Sequence, residues 1–247
     1  MSAARSVSGL VTALALTGFA CAGCDSTQQE ATRARLNAQR FLASASPTIV
    51  RHRSRDVRVL RVTLLRGSGA SAIAVRLHSD ATRPLNDLPI SVGLLGPGGR
   101  VVYLNAGANV DYFKTHLASI AARGSATWVF TTRRPLPAGM TPIALVGARP
   151  TVPATTVRSL PRIAVAAAVP TSTTKGGLRV RVTNLSAVPQ YQLQVYALEL
   201  ARGRYVAAGQ ATISHLGTGT SETLEMTIIG DHRAPSVELE AMPTMFQ

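Results

Sequence analysis

Both cysteines lie close together near the beginning of the sequence. Cys21 and Cys24 are spaced C-x-x-C in the stretch FACAGCDS. Such a pair could form a redox-active disulfide, supply half of a metal site, or mark a place where the chain is cut and modified. A thioredoxin-like redox pair requires a βαβ context that lowers a thiol pKa, and no strand pattern precedes Cys21. A structural zinc site requires about four ligands, and there is no third cysteine.

The residues before the pair favour cutting and modification. A single cation, Arg5, precedes an uncharged apolar run from about Gly9 to Ala20, and small residues follow. This order is typical of a secretory signal peptide. The apolar run is too short to cross a membrane, which requires roughly 20 residues.

The small pair Ala22-Gly23 directly before Cys24 resembles the lipobox of bacterial lipoproteins, usually written L-A/S-G/A-C, with Cys21 in place of the leucine. The resemblance implies that 1–23 is a cleaved signal peptide and that Cys24 carries diacylglycerol. Two or more acyl chains give stable anchoring, so we expect the protein on the outer face of the cytoplasmic membrane. Cleavage at Cys21 fits less well because Phe19 is large. An ordinary signal peptide would instead give a secreted or periplasmic protein.

Other residues that could do chemistry are scattered. The five histidines lie in separate segments without H-x-x-x-H spacing, so we expect no metal and no cofactor. Asp111 and His116 occur together in NVDYFKTH, but no G-x-S-x-G elbow accompanies them. We therefore expect no catalytic residues and a protein that is not an enzyme.

Two short motifs are interpreted as turns and not as functional sites. GPGGR at 96–100 is followed by VVYLN, which is typical of a strand, whereas a phosphate-binding glycine loop opens a helix. It predicts a hairpin turn. NLS at Asn184 matches a glycosylation acceptor, but in a bacterial chain the asparagine is expected to serve a turn.

After residue 46 the hydrophobic pattern alternates with a period of two. Short segments rich in β-branched residues, such as VRVLRVTLL, AIAVRLH, ATWVFTT and LRVRVTN, are bounded by Gly, Pro, Asn or Asp. This pattern predicts an all-β chain built as sandwiches. In LRVRVTN we expect Leu178, Val180 and Val182 to face inward. The polar residues 24–46 are expected to form a tether, with a short helix favoured by a capping box at Thr27 and Glu30.

The alternating part of the sequence contains an internal repeat. The stretch AVRLHSDATRPLNDLPISVGLLGPGGRVVYLNAGA corresponds to RVRVTNLSAVPQYQLQVYALELARGRYVAAGQA, with Pro84 and Pro189 in equivalent turns. Two copies of about a hundred residues predict tandem immunoglobulin-like β-sandwiches. We place the first at 47–150, a Pro/Thr linker at 151–157 and the second at 158–247. Extra residues near NVDYFKTH elaborate the first copy.

The second copy resembles bacterial FxLYD- or CARDB-type immunoglobulin-like modules. Val182, Asn184 and Ser186 match a strand that ends in an Asn-x-Ser-like turn, and Gly203 and Val206 match a G-x-V hairpin. Val195, Tyr196 and Leu198 occupy the region of the family's Phe-x-Leu-Tyr-Asp core. The resemblance implies a fold and use outside the cytoplasm, and it implies no activity.

Positive charge is concentrated in the first copy. The formal net charge is +14, and 47–153 contributes +10 of it, against +2 from 154 onward. Arg51, Arg53, Arg55 and Arg58 form the candidate anion-binding group, and the first three would share one face of an extended strand. Arginines bind phosphates and carboxylates well, but they also fit a GC-rich genome and the protection of sheet edges. Nucleic acid is disfavoured by the compartment and by the low aromatic content of 4%.

Tyr112 and Phe113, in the inserted loop, are the candidate exposed contact residues, because loops carry binding in sandwich folds. Packing of the same loop over the core is an equally weighted alternative. Taken together, the sequence predicts a membrane-anchored lipoprotein that acts as a non-catalytic binding or scaffolding module. Its partner would be an anionic wall polymer or an envelope protein. The alternatives are a structural spacer or assembly subunit of an envelope complex, and a hydrolase with a loop-built site.

Overall fold

The computed structural model describes residues 49–107, 110–148, 159–167, 177–231 and 236–245, together with the helical positions Thr32, Arg35, Leu36, Ala38 and Gln39. The predicted signal peptide at 1–23, the lipidation residue Cys24 and the predicted linker at 151–157 lie outside the described residues. The prediction of an all-β chain is confirmed, since the ordered elements after residue 48 are strands and two short 3₁₀ turns.

The first half of the chain forms two layers. Its strands are β1 (Val57–Arg66), β2 (Ser71–Ser79), β3 (Leu85–Leu95), β4 (Val101–Tyr103), β5 (His116–Ile120), β6 (Ser125–Thr132) and β7 (Thr141–Val146). One sheet has the order β1-β2-β6. In the other, β3 pairs with β5 over its first residues and with β4 and β7 over its later ones.

The second half forms one long sheet that folds over its own core. Its strands are β8 (Ile163–Ala167), β9 (Gly177–Asn184), β10 (Gln190–Ala201), β11 (Arg204–Leu216), β12 (Ser221–Gly230) and β13 (Ser236–Met242). They lie in the order β13-β10-β11-β12-β9-β8. The first part of β12 pairs with β9 and its last residues pair with β11. This change of partner lets β9 and β12 cover a core that includes Val180, Leu193, Val195 and Ile213.

The alternation predicted for the strands is confirmed. In β9, Val180 and Val182 are buried and Leu178 is half-buried, whereas Arg179 and Arg181 are exposed. Period-two patterning therefore places the apolar residues against the core and leaves the charges in water.

Strand pairing follows the predicted internal repeat. The antiparallel pairs β1–β2, β2–β6, β3–β4 and β3–β7 correspond to β8–β9, β9–β12, β10–β11 and β10–β13. A local detail also recurs, because Asp87 and Gln192 have left-handed backbones (φ 56° and 53°) three residues after Pro84 and Pro189. Non-glycine residues rarely adopt this conformation. The two halves therefore share their pairing scheme and a matching irregularity in equivalent strands.

The sheet β1-β2-β6 is covered on both faces. On one face, Trp128 of β6 is fully buried and its indole N–H donates to the carbonyl of Phe113 at 3.1 Å. On the other face, the second half of the chain packs against the sheet, and one hydrophobic cluster joins β2 and β6 to Tyr196, Leu198 and Ile229. In the described part of the chain, each sheet takes its strands from one half only. Whether the halves are separate folding domains stays a prediction.

Candidate functional site

The arginine segment before β1 is held against the end of β7. The backbone N–H of Val50 donates to Ser91 Oγ, and the N–H of Ser54 donates to the Val146 carbonyl, each at 2.8 Å. Between these anchors, Arg53 forms an isolated bridge with Gly147. The path of the backbone is therefore held at both ends of the segment by hydrogen bonds.

Three of the predicted anion-binding residues are exposed and unengaged. Arg51, Arg53 and Arg55 are all exposed. Within the described part of the chain, no ion pair or side-chain hydrogen bond engages any of them. An open cleft of about 580 Å³ lies beside the segment, and its lining includes Arg51 and His52. The regular strand begins only at Val57, so the shared strand face expected for these arginines is not formed.

Arg58 differs from the other three predicted residues, because an internal carboxylate already binds it. Its Nε and Nη2 donate to the two carboxylate oxygens of Asp80 at 2.7 and 2.9 Å. The Arg58 hydrogen bonds, together with its charge, lower the pKa of Asp80. The two-point contact with Asp80 occupies part of the exposed Arg58 guanidinium, so Arg58 stays a prediction as an anion-binding residue and is left out of the cluster considered below.

Other arginines of the first half also bind within the protein. Arg66 donates to the carbonyls of Leu136 and Pro137 at 3.2 and 2.8 Å. Arg76 donates to Thr127 Oγ1 at 2.8 Å. These contacts account for a structural role of some first-half arginines. Arg51, Arg53 and Arg55 share exposure without such a contact with Arg83, Arg100, Arg123, Arg133 and Arg134, and they differ from those five in lying at alternate positions of one short segment.

The predicted contact residues Tyr112 and Phe113 are buried. Their relative exposures are 9% and 3%, and both belong to the hydrophobic core. Asp111 caps their 3₁₀ turn by accepting from the Phe113 N–H at 3.0 Å. Of the two alternatives, packing over the core is the one observed and exposure of the rings is not, because the inserted residues fold back over Trp128 and continue into the buried strand β5.

A polar cluster that sequence reasoning missed surrounds Tyr112. The Tyr112 hydroxyl donates to Asp87, the residue with the left-handed backbone in β3. The His116 ring stacks on Tyr112 with centroids 4.1 Å apart, and its Nδ1 lies 2.9 Å from Thr115 Oγ1. Burial lowers the pKa of His116 and raises that of Tyr112. Each group has a partner inside the fold, so the cluster secures the insertion.

The carboxyl group of Glu240 lies between the two halves of the chain. Its Oε2 accepts the backbone N–H of Thr127, on β6, at 2.8 Å. Tyr196, its pairing partner across the sheet, is fully buried. Burial raises the pKa of Glu240 to about 7, although the Thr127 bond and the charge of Arg76 oppose the shift. The alternating pattern of VELEAM alone would have placed this glutamate in solvent.

The two structural motifs are confirmed. Gly96 and Arg100 are joined by a backbone hydrogen bond across the β3–β4 hairpin, where Gly98 and Gly99 have a φ of 79°. Asn184 is completely buried. Its Nδ2 donates to the carbonyls of Val188 and Leu216, and its Oδ1 accepts from the N–H and hydroxyl of Ser186. The asparagine therefore holds the β9–β10 turn in place.

Neither a metal-ligand cluster nor a membrane-crossing element is found in the described ranges. No group of three or more His, Cys, Asp and Glu residues in them is arranged to hold a metal ion. No helix within these ranges is long and apolar enough to cross a membrane.

Comparison with known proteins does not assign a family. No protein-family model matches the sequence, and no curated protein matches it. Among solved structures, the chain is similar to red sea bream transglutaminase with a TM-score of 0.18 and 11% identity. The match covers 77% of this chain and 32% of that enzyme. A likeness at this level carries no argument about fold or activity.

Glu240 should make stability depend on pH. Because its pKa is about 7 in the folded protein and 4.5 ordinarily, the folded state holds the proton more tightly. Stability should therefore fall as the pH rises from about 4.5 to about 7, by at most about 3 kcal/mol from this group. In the Glu240→Gln variant, the unfolding free energy measured in urea should therefore differ less between pH 5 and pH 8 than in the parent protein. The exposed Glu222→Gln variant is the control, and equal slopes in both variants would contradict the assignment.

Asn184→Ala should destabilise the fold by about 1 to 3 kcal/mol, because buried carbonyls and an N–H lose their partners. Thermal unfolding measures the loss. Leu185→Ala, in the same turn but at an exposed side chain, should stay within about 0.5 kcal/mol of the parent protein. Similar losses in the two variants would show that the asparagine network contributes little.

Proposed function

We propose that the protein is an extracytoplasmic lipoprotein, anchored to the membrane through Cys24, and that it acts as a non-catalytic binding module. Its binding surface is the arginine cluster Arg51, Arg53 and Arg55. The ligands are phosphate or carboxylate groups, carried by an anionic wall polymer or by lipid headgroups. The observation that carries the proposal is that three exposed arginines without an ion pair or side-chain hydrogen bond lie within five residues of one another, whereas Arg58, Arg66 and Arg76 of the following strands donate to other groups of the protein.

The chemistry of the cluster suits anionic groups. Guanidinium groups form two-point hydrogen bonds with phosphates and carboxylates. Each basic residue near an anionic membrane surface contributes about 1 kcal/mol. Arg53 bridges to Gly147 and the flanking N–H groups are bonded, so the backbone would lose little conformational entropy on binding. These features support a site that is positioned before its ligand arrives.

The position of the cluster along the chain also supports the proposal. Arg51 follows the proposed lipidated Cys24 by 27 residues. An extended chain spans at most about 3.6 Å per residue, so the cluster would lie within roughly 97 Å of the anchor. Both membrane headgroups and polymers close to the membrane would be within reach.

The strand pairing supports a scaffold of immunoglobulin-like type. In such sandwiches, strands A, B and E share one sheet, and strands C and F share the other. In the first half, β1–β2–β6 and β3–β7 lie in separate sheets and follow this scheme. The corresponding pairs recur in the second half within one continuous sheet. The sequence resemblance to FxLYD- or CARDB-type modules is consistent with it. Scaffolds of this kind host many functions, so the arginine cluster gives the proposal its specificity.

Neutralising the cluster should weaken anion binding. The chain from Asp25 to Gln247 with Arg51, Arg53 and Arg55 changed to Gln should bind phosphate-rich wall polymer or anionic vesicles at least about tenfold more weakly at low salt. Parallel titrations with polymer and vesicles distinguish the two sources of anionic groups.

A matched control removes the same charge elsewhere. Arg181, Arg202 and Arg204 are exposed residues of the second half, and their combined change to Gln should leave affinity within about twofold. An equal loss in both triple variants would assign binding to net charge alone and would contradict the site. Wild-type protein that binds neither probe would refute the proposed function.

The anchor is tested separately. Cys24→Ser should move the full-length protein from the membrane fraction to the soluble fraction in its bacterial host, because acylation of the sulfur is blocked. Cys21→Ser is the control and should leave the protein with membranes. A Cys24→Ser protein that still fractionates with membranes would contradict the lipid anchor.

A further inference from the structure

Two apolar side chains protrude from the turn between β9 and β10. Leu185 is 56% exposed and Val188 is 55% exposed, the highest values for large hydrophobic residues in the described part of the chain. Single exposed hydrophobic residues are ordinary on protein surfaces. Two exposed hydrophobic residues within four positions of one turn are less common, and such a pair could contact a membrane or another molecule.

The turn is rigid. The buried Asn184 side chain bonds to Ser186, Val188 and Leu216. The backbone N–H of Leu185 also donates to the Arg162 carbonyl at 2.9 Å. A buried polar network thus holds the backbone of the turn that carries the two exposed apolar side chains.

The N-terminal helical residues lie beside this turn. Ala38 is only 4% exposed. Helical positions including Thr32 and Arg35 line one cleft together with residues of β10 and β11 that include Tyr191 and His215. These two strand residues are paired, and the next pair along the ladder, Gln190 and Leu216, adjoins the Asn184 network. The helix therefore meets the second sandwich at the end that carries Leu185 and Val188.

The chain length between the helix and the proposed anchor is short. Thr32 follows Cys24 by eight residues, which span at most about 29 Å when extended. If Cys24 is lipidated, the end of the second sandwich that contacts the helix must lie close to the bilayer. The exposed Arg35 and Arg162 add positive charge near the same end, where anionic headgroups would meet them.

We propose that Leu185 and Val188 form a membrane-contacting tip that orients the second sandwich on the lipid bilayer. The inference rests on the lipid anchor of the proposed function and does not depend on the arginine cluster. The occupant is the interfacial region of the bilayer, into which apolar side chains flanked by basic residues partition. The tip and the acylated cysteine would act together as two points of attachment.

The experiment tethers the chain without relying on native lipidation. A six-histidine tag ahead of Asp25 binds the chain 25–247, with Cys24 removed, to vesicles of phosphatidylcholine and a nickel-chelating lipid. An environment-sensitive dye is attached to the single cysteine of Val188→Cys. The matched control carries the dye at Val102→Cys, on the exposed strand β4, where the valine is 46% exposed. Quenching by spin-labelled acyl chains reports entry of the dye into the bilayer.

We expect at least about twofold stronger quenching at position 188 than at position 102, and we expect Leu185→Ser to reduce the quenching at 188. Equal quenching at the two positions would contradict the proposed membrane contact of Leu185 and Val188. A protein partner would then be the better candidate to cover the turn. Because the tag supplies the anchor, this result is independent of whether Cys24 is acylated in the cell. Failure of the tip is therefore distinguishable from failure of the proposed function.

Discussion

The fold depends on two strands of the sheet β1-β2-β6, namely β2 and β6, which are mostly buried on both faces. Ile73, Val75 and Leu77 of β2 alternate with Ala72 and Ala74, and all five are fully buried. The larger side chains share the core with Trp128, and the alanines let the second half of the chain approach closely. A hydrophobic residue on either face stabilises the layer above or below it, roughly in proportion to the apolar area that it removes from water. Both cysteines precede residue 25, so no disulfide links the strands and this double burial carries much of their stability.

Double burial also determines where polar groups are tolerated. The backbone N–H of Thr127, on the edge strand β6, donates to Glu240 from the second half. At an open sheet edge this N–H would instead bind solvent or another chain. Arg61 likewise donates to the Gly203 carbonyl in the β10–β11 hairpin. Arg61 of β1 thus helps to join the two halves. By contrast, Arg51, Arg53 and Arg55 precede β1 and take no part in this contact.

Local pattern was sufficient to predict much of this fold. Period-two alternation predicted the strands, and the repeat predicted equivalent turns, because both depend on residues that are neighbours in sequence. The buried Asn184 and the glycine hairpin at 96–100 followed from turn chemistry for the same reason. Contacts between distant residues could not be predicted. The bond from Arg58 to Asp80 depends on the β1–β2 register, the burial of Tyr112 depends on the insertion folding back, and the burial of Glu240 depends on a third layer whose presence no local pattern indicates.

Arg51, Arg53 and Arg55 are proposed to form an anion-binding site, and the salt dependence of binding is the decisive measurement. Binding of the chain 25–247 to a phosphate-rich polymer should weaken steeply as salt increases, because each phosphate contact releases a condensed counterion. Changing Arg51, Arg53 and Arg55 to Gln should make that salt dependence shallower, whereas changing Arg181, Arg202 and Arg204 to Gln should leave it unchanged. The same slope for the wild-type protein and the Arg51/Arg53/Arg55 variant would rule out the site.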